Sequence, residues 1–291
     1  MCNFDTIRRY YLFDRVLRIH TFYDECDSRE LSMQDSGPLK ALCEEAARAG
    51  GQELLAWRDR FSTREKSACD LVTDADLASQ RAIRTLISRE YPDHGFLGEE
   101  SPDPQQLELP YCWVVDPLDG TTNYVHGFPC YAVSVAVVHK GELIAGAIFD
   151  PLAQECFIAE RGKGSQLNGK SIRVSKTTQL HQALVAVSFP PSPQSDSPDI
   201  LAFMKVSPIC QAVRRTGSAA LNLAYVACGR LDAHWANFIH SWDSAAGVLL
   251  VAEAGGVTAS FAGGEDQVAQ GDYCVASSQE LFHEVQSVLH S

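Results

Sequence analysis

The stretch Trp113-Val114-Val115-Asp116-Pro117-Leu118-Asp119-Gly120-Thr121-Thr122-Asn123 is the most informative in the chain. The run from Cys112 to Val115 predicts a short buried strand that delivers Asp116 at its C-terminal end, and Pro117 keeps that aspartate out of helical geometry. Asp119 follows, then a glycine and two hydroxyls, so a single turn can aim both carboxylates at one point. Gly120 leaves room for a phosphate, and a helix opening near Thr121 would present free N–H groups to an anion. An isolated aspartate pair of this kind most often caps a turn. Three neighbouring features shift that weighting.

Upstream, Phe96-Leu97-Gly98-Glu99-Glu100-Ser101 sets two glutamates behind an apolar run; alone it reads as a solvated loop. Thr73-Asp74-Ala75-Asp76 fits a capping box for a helix with Leu77, Ile83, Leu86 and Ile87 on its buried face, and Tyr91-Pro92 ends it. Asp76 is then either the reciprocal acid of that box or a functional group. Downstream, Asp243 in His240-Ser241-Trp242-Asp243 stands at a helix start, where capping is the default role. If these acids converge they cannot stay bare, because like charges about 4 Å apart repel by ~4 kcal/mol at an effective dielectric near 20. Cations must sit among them. Oxygen-only donors, with no His or Cys at matching spacing, select magnesium over zinc. Such ions clamp a phosphate, lower the pKa of a bound water and stabilise the departing alkoxide.

Around this centre the chain reads as alternating helices and strands. Residues 1–36 form an N-terminal extension without clean periodicity, either disordered or the product of a misassigned start. The spacing of Leu39, Leu42, Cys43, Ala46 and Ala47 is helical, and Gly50-Gly51 interrupts the pattern before Leu54 and Leu55 resume, so one amphipathic helix, straight or kinked, is expected. Strands are expected over Ala132–Val138, Leu143–Phe149 and Cys156–Ala159, with Asn168-Gly169 as a hairpin turn and Arg161–Lys170 as a plain hairpin loop. The turn-rich Pro190–Pro198 marks a seam between a half at 37–190, with most of the acids, and a half at 191–291, with Asp243. Helices over Ser218–Cys228 and Asp243–Ala254, each ended by glycine, and short strands around Leu231–Trp235 and Tyr273–Val275 complete a layered α/β (α+β) pattern.

Bulk properties narrow the partners. The chain has 291 residues, 45% of them hydrophobic, enough for one large domain or two packed halves. Its 24 basic against 37 acidic residues leave a charge of -13, which disfavours nucleic acid and anionic membrane surfaces. Ten singly scattered cysteines without a CxxC pair read as reduced thiols. No transmembrane run or signal peptide is recognised, so a cytoplasmic location is expected.

Asp116-Pro117-Leu118-Asp119-Gly120-Thr121-Thr122, Gly98-Glu99-Glu100-Ser101, Asp70-Leu71-Val72-Thr73-Asp74-Ala75-Asp76 and Trp242-Asp243-Ser244-Ala245-Ala246-Gly247 resemble, in order and separation, the four signatures of the inositol monophosphatase family. The resemblance covers the chain from about Gly37 onward. It implies an αβαβα sandwich of the inositol monophosphatase and fructose-1,6-bisphosphatase type, a homodimer, lithium sensitivity and roughly two to three Mg2+ ions per active site. By motif position Glu99, Asp116 and the Leu118 carbonyl would hold one ion, and Asp116, Asp119 and Asp243 another; Glu99 would also reach a weaker third. Asp76 and Thr121 would orient and deprotonate the attacking water, with Glu99 completing the catalytic set. Gly120 and Thr121 would contact phosphate, alongside Asp119 and Asp243 on the substrate. Gly217, Ser218 and Ala219, in a segment resembling the family's GTAA, would face the polyol. The implied substrate is inositol monophosphate or another small phosphorylated polyol. Ala236 replaces a glutamate that binds ring hydroxyls in inositol-specific members, which should weaken selection among polyols; neighbouring Asn237 is a possible substitute. His126 and His240 read as structural hydrogen-bonders, and Lys66 as a family loop lysine or a solvated one. Rival substrates are fructose 1,6-bisphosphate, histidinol phosphate and a 3'-phosphoadenosine nucleotide. A catalytically idle scaffold is the non-enzyme alternative.

Overall fold

A computed structural model describes residues 36–67, 70–237, 239–261 and 272–289. The expected N-terminal extension, apart from Ser36, lies outside the described residues. In chain order the first elements are helix α1 (Gly37–Trp57), a hairpin of β1 (Thr63–Ser67) and β2 (Asp70–Thr73), helix α2 (Asp74–Glu90), β3 (Gly95–Gly98), β4 (Tyr111–Asp119) and the short α3 (Thr121–Val125). The chain continues through β5 (Ala132–His139), β6 (Glu142–Asp150), β7 (Glu155–Glu160), β8 (Gly164–Leu167) and β9 (Lys170–Ser171). It then forms β10 (Leu184–Val187), α4 (Pro198–Val206), β11 (Ala212–Arg214), α5 (Ala219–Ala227), β12 (Ala233–Ala236), α6 (Ser241–Glu253), β13 (Val257–Ala259), β14 (Tyr273–Ala276) and α7 (Gln279–Leu289).

Two sheets organise these elements. The larger runs β3-β4-β5-β6-β7-β8-β9 and is antiparallel except for β3 beside β4. The smaller runs β11-β10-β12-β14-β13, with β10 parallel to both β11 and β12. Helices α1 and α2 cover one face of the large sheet through a core of Leu42, Leu54, Ile83, Trp113, Val135 and Phe149. Helices α5 and α6 fill the space between the sheets with Leu221, Leu223, Val248 and Leu250. Helices α4 and α7 close the outer face of the small sheet through Val206, Trp235, Leu281 and Val285. The result is the expected αβαβα layering, in which strands buried on both faces read as continuous apolar runs.

Several local expectations hold. Thr73 accepts the N–H of Ala75 and Asp76, while Asp76 accepts the Thr73 N–H at 2.8 Å, a complete capping box. Asn168 and Gly169 both take positive φ, 47° and 77°, in the turn joining β8 to β9. The Arg161–Lys170 segment is more than a loop, since it contains strand β8. Helix α1 is the single helix expected, and it runs unbroken through Gly50 and Gly51. A Cβ at Gly51 would sit 2.5 Å from the Phe149 ring, and one at Gly50 would sit 2.7 Å from the Ser79 hydroxyl. These glycines let α1 approach β6 and α2 closely rather than interrupting the helix. Among the described residues no helix is long and apolar enough to cross a membrane. The described cysteines, Cys43, Cys112, Cys130, Cys156, Cys210, Cys228 and Cys274, are all free.

Candidate active site

The site forms where β4 runs out. Along a regular strand, residues three apart point to opposite faces. The β4–β5 pairing slips between Asp116, opposite Ser134, and Asp119, opposite Ala132, so the two aspartates turn toward the same space. Helix α6 adds Asp243 from its first turn. Carboxylate oxygens of Asp116, Asp119 and Asp243 lie within 4.8 Å of one another. Glu99, just past β3, acts by its charge on both Asp116 and Asp243. Three of the four acids expected from the sequence thus come together, with Glu99 in electrostatic reach of Asp116 and Asp243.

Each is fixed by its own element. Asp116 Oδ1 accepts the Leu118 N–H at 2.9 Å, and the Leu118 carbonyl accepts from the Thr121 hydroxyl at 3.1 Å. Asp119 accepts N–H groups of Ala219 at 3.2 Å and Ala220 at 2.8 Å, together with the Ser218 hydroxyl, so it caps α5 while facing the other acids. Asp243 accepts the His240 N–H at 2.8 Å at the start of α6. Gly120 holds φ 96°, and a Cβ there would meet the Cys130 carbonyl at 2.9 Å. That conformation opens α3 directly beneath the acids. Asp76 both completes the capping box and reaches the site: Oδ2 accepts from Thr73, while Oδ1 accepts the Thr121 hydroxyl at 3.2 Å.

The electrostatics are those of an acid cluster in a low-dielectric setting. Burial, then Asp243, pushes Asp119 up to about 7; burial, then Glu99, does the same to Asp243. Burial and all three carboxylate neighbours hold Asp116 well above the usual range. Burial raises Asp76 to about 6 against the lowering effect of Thr73. Lys66, from the β1–β2 hairpin, places Nζ 2.7 Å from Glu99 and 2.6 Å from Glu100. These carboxylates raise the Lys66 pKa although burial opposes them. No basic side chain reaches the three aspartates in the same way among the described ion pairs. A carboxylate-only donor set under mutual repulsion fits a hard cation.

The cluster opens into a cavity of about 810 Å3 lined by Glu99, Asp119, Thr121 and Asp243 on one side and by Phe189, Arg215, Gly217 and Ala219 on another. Gly217 and Ala219 thus face it, whereas Ser218 is buried against Asp119. Ala236 is buried and lines none of it, and Asn237 is also absent from the wall. His240 contributes to the wall with its ring stacked on Trp242 at 4.5 Å, while His126 is exposed outside it. The sequence reading passed over Asn123, whose Nδ2 ties the Cys130 carbonyl at 2.7 Å to the Thr216 carbonyl at 2.9 Å. It also passed over Phe189 and Arg215; the basic pair Arg214-Arg215 ahead of Gly217 was the available signal.

Known proteins share this arrangement of the chain. The sequence profile described as the inositol monophosphatase family matches residues 36–290. Nus factor SuhB of Pseudomonas aeruginosa is 40% identical over 253 residues, covering 84% of this chain and 93% of its own. An inositol-1-monophosphatase of Synechocystis is 38% identical over 226 residues, covering 76% and 78%. The crystal structure of extragenic suppressor protein suhB from Bartonella henselae superposes with a TM-score of 0.81 at 34% identity, covering 87% of this chain and 98% of that one.

Proposed function

The chain belongs to the inositol monophosphatase family, and on that premise we propose that it is a magnesium-dependent phosphomonoesterase acting on inositol monophosphate or a similar small polyol phosphate. The observation that carries this reading is the meeting of Asp116, Asp119 and Asp243 within 4.8 Å beside the Gly120–Thr121 turn. Glu99, Asp116, the Leu118 carbonyl, Asp119 and Asp243 are the residues that would hold the metal. Magnesium bound there supplies positive charge for the phosphate and a more acidic water.

The chain's own residues do the rest. The N–H groups of Gly120 and Thr121 favour a phosphate oxygen at the start of α3. Thr121, already donating to Asp76 at 3.2 Å, orients the attacking water, and Asp76 takes its proton. Its position near 6 leaves Asp76 ionised yet basic enough to accept that proton at neutral pH. Gly217 and Ala219 bound the space for the alcohol part of the ester. Lithium inhibition and a homodimeric state, both implied by the family resemblance, belong to the same proposal; rate assays with lithium chloride and light scattering measure them.

A panel of inositol 1-phosphate, fructose 1,6-bisphosphate, histidinol phosphate and 3'-phosphoadenosine 5'-phosphate, assayed with magnesium, tests the assignment. Small polyol phosphates should release phosphate fastest. Preference for histidinol phosphate or the nucleotide above every polyol ester overturns it. The relatives named Nus factor favour a second reading, in which the fold serves as a binding scaffold. Absence of turnover on every small ester, with Asp116→Asn leaving stability and binding unchanged, would select the scaffold.

A further inference from the structure

The acids come from segments remote from one another in sequence, and helix α2 touches three of those segments. Asp76, Ser79 and Gln80 fall at i, i+3 and i+4 and share one face of the helix. All three are buried. Asp76 Oδ1 accepts the Thr121 hydroxyl at 3.2 Å, and the Ser79 hydroxyl donates at 2.8 Å to the Pro117 carbonyl, between Asp116 and Leu118. Gln80 reaches the third segment, the turn that carries Glu99. Its Oε1 accepts the Glu100 N–H at 3.0 Å, and its Nε2 donates to the Ser101 hydroxyl at 3.0 Å.

These bonds hold Glu99 from both sides. The Glu99 N–H donates at 3.1 Å to the Val115 carbonyl, next to Asp116 on β4, and the following peptide N–H, that of Glu100, is the one Gln80 accepts. With both flanking peptide groups anchored, the Glu99 backbone is fixed relative to Asp116, and its side chain can leave in only a few staggered directions. The turn is closed by the Ser101 N–H, which donates to the Gly98 carbonyl at 3.2 Å. Gly98 makes room for this arrangement, because a Cβ there would run into the Gln80 amide and the Phe96 ring. Lys66 pairs with the carboxylates of Glu99 and Glu100, but it comes from β1, where residues 63–66 are exposed. It meets their charge and leaves the backbone to Gln80, whose amide supplies an acceptor and a donor in one planar group.

We propose that Gln80 is a positioning residue for Glu99: by holding the Glu100 N–H and the Ser101 hydroxyl from α2, it sets where the Glu99 carboxylate stands relative to Asp116 and Asp76, and so how tightly the site binds a cation. Gln80 lies outside the four sequence motifs and lines no part of the cavity, so it acts through Glu99 alone. Its role rests on the metal site of the phosphatase reading.

Two variants separate position from bulk. Gln80→Met keeps the length of the side chain and removes both bonds, whereas Gln80→Glu keeps one oxygen for the Glu100 N–H and another for the Ser101 hydroxyl. Titration calorimetry with magnesium, turnover of inositol 1-phosphate against magnesium concentration, and the melting temperature in EDTA are measured for wild type and both variants. Gln80→Met should weaken magnesium binding by about tenfold or more and raise the magnesium needed for half-maximal turnover in proportion. At saturating magnesium the KM for the ester should change little, and Gln80→Glu should recover most of the loss. Wild-type turnover with magnesium affinity unchanged in Gln80→Met overturns the positioning role and leaves the phosphatase reading standing. So does an equal loss in both variants that follows a fall in the EDTA melting temperature, which marks a purely structural role. Magnesium binding that weakens in Gln80→Met, in a protein that hydrolyses no ester, supports the positioning role and removes the phosphatase reading. Absence of both magnesium binding and turnover in wild type removes the two together.

Discussion

Asp119 shows how one side chain joins scaffold and chemistry. It faces Asp116 and Asp243, and it also accepts the N–H groups of Ala219 and Ala220 that open α5. Substitutions separate these roles. In Asp119→Asn one amide oxygen remains to cap α5, while the charge needed by a cation is lost. Turnover should fall by at least about a hundredfold, more than loss of an outer support for a ligand would cost. The melting temperature in EDTA should hold or rise, because a buried carboxylate pushed up to about 7 has been neutralised, and the gain on adding magnesium should shrink. In Asp119→Ala the cap is lost as well, for a further ~1 kcal/mol of stability. A wild-type rate in Asp119→Asn would end the proposed role for this residue; equal melting temperatures for the Asn and Ala variants would remove the capping role.

At the scale of elements, close approach governs both packing and the legibility of the sequence. Helix α1 touches β6 across Gly51, where a methyl group would lie 2.5 Å from a ring that is itself wholly buried. Gly51→Ala improves helix propensity by about 1 kcal/mol but forces overpacking that costs ~1–3 kcal/mol. Its melting temperature should therefore fall, and an increase would show that the Phe149 ring yields freely. Sequence patterning carries one helix across Gly50-Gly51 but gives no reason for the two glycines, because it sees propensity and not the neighbouring layer. Elements with strong local signals were legible: the Thr73 capping box, the apolar β5 and β6, and the Asn168-Gly169 turn. The hairpin of β1 and β2 was not, since Thr-Arg-Glu-Lys-Ser has no apolar alternation and its register rests on backbone pairing. Strands β10, β11 and β13 are three or four residues long, too short to carry a period. The acids Glu99, Asp116, Asp119 and Asp243 were recognisable from ordered motifs. The β4 irregularity that turns Asp116 and Asp119 together is a tertiary fact, visible only in its pairing with β5. Arg215 was passed over because its place on the cavity wall depends on β10 and β11 lying side by side.

The whole molecule carries a net charge of -13, yet it concentrates acids at the junction of its layers, so its stability should be coupled to pH and metal. The sign follows from proton linkage. Burial and mutual repulsion raise Asp116 well above the usual carboxylate range and place Asp119 and Asp243 near 7, while Asp76 lies near 6. In the unfolded chain the same groups titrate near 3.9. Between about pH 4 and pH 7 the folded state therefore holds more protons than the unfolded one, and its stability declines as pH rises through that window. The penalty is fully present above the raised values and disappears below the unfolded ones. Metal-free protein should thus melt at a higher temperature at pH 5.5 than at pH 8. Saturating magnesium should reverse the order, because it offsets repulsion among ionised carboxylates and competes with their protons. Calorimetric scans at both pH values, with EDTA and with magnesium, give the four melting temperatures required. The same scans on Asp119→Asn should show a flatter pH dependence in EDTA and a smaller response to magnesium. A metal-free melting temperature that climbs from pH 5.5 to pH 8 in wild type and variant alike would place the controlling charges elsewhere in the molecule.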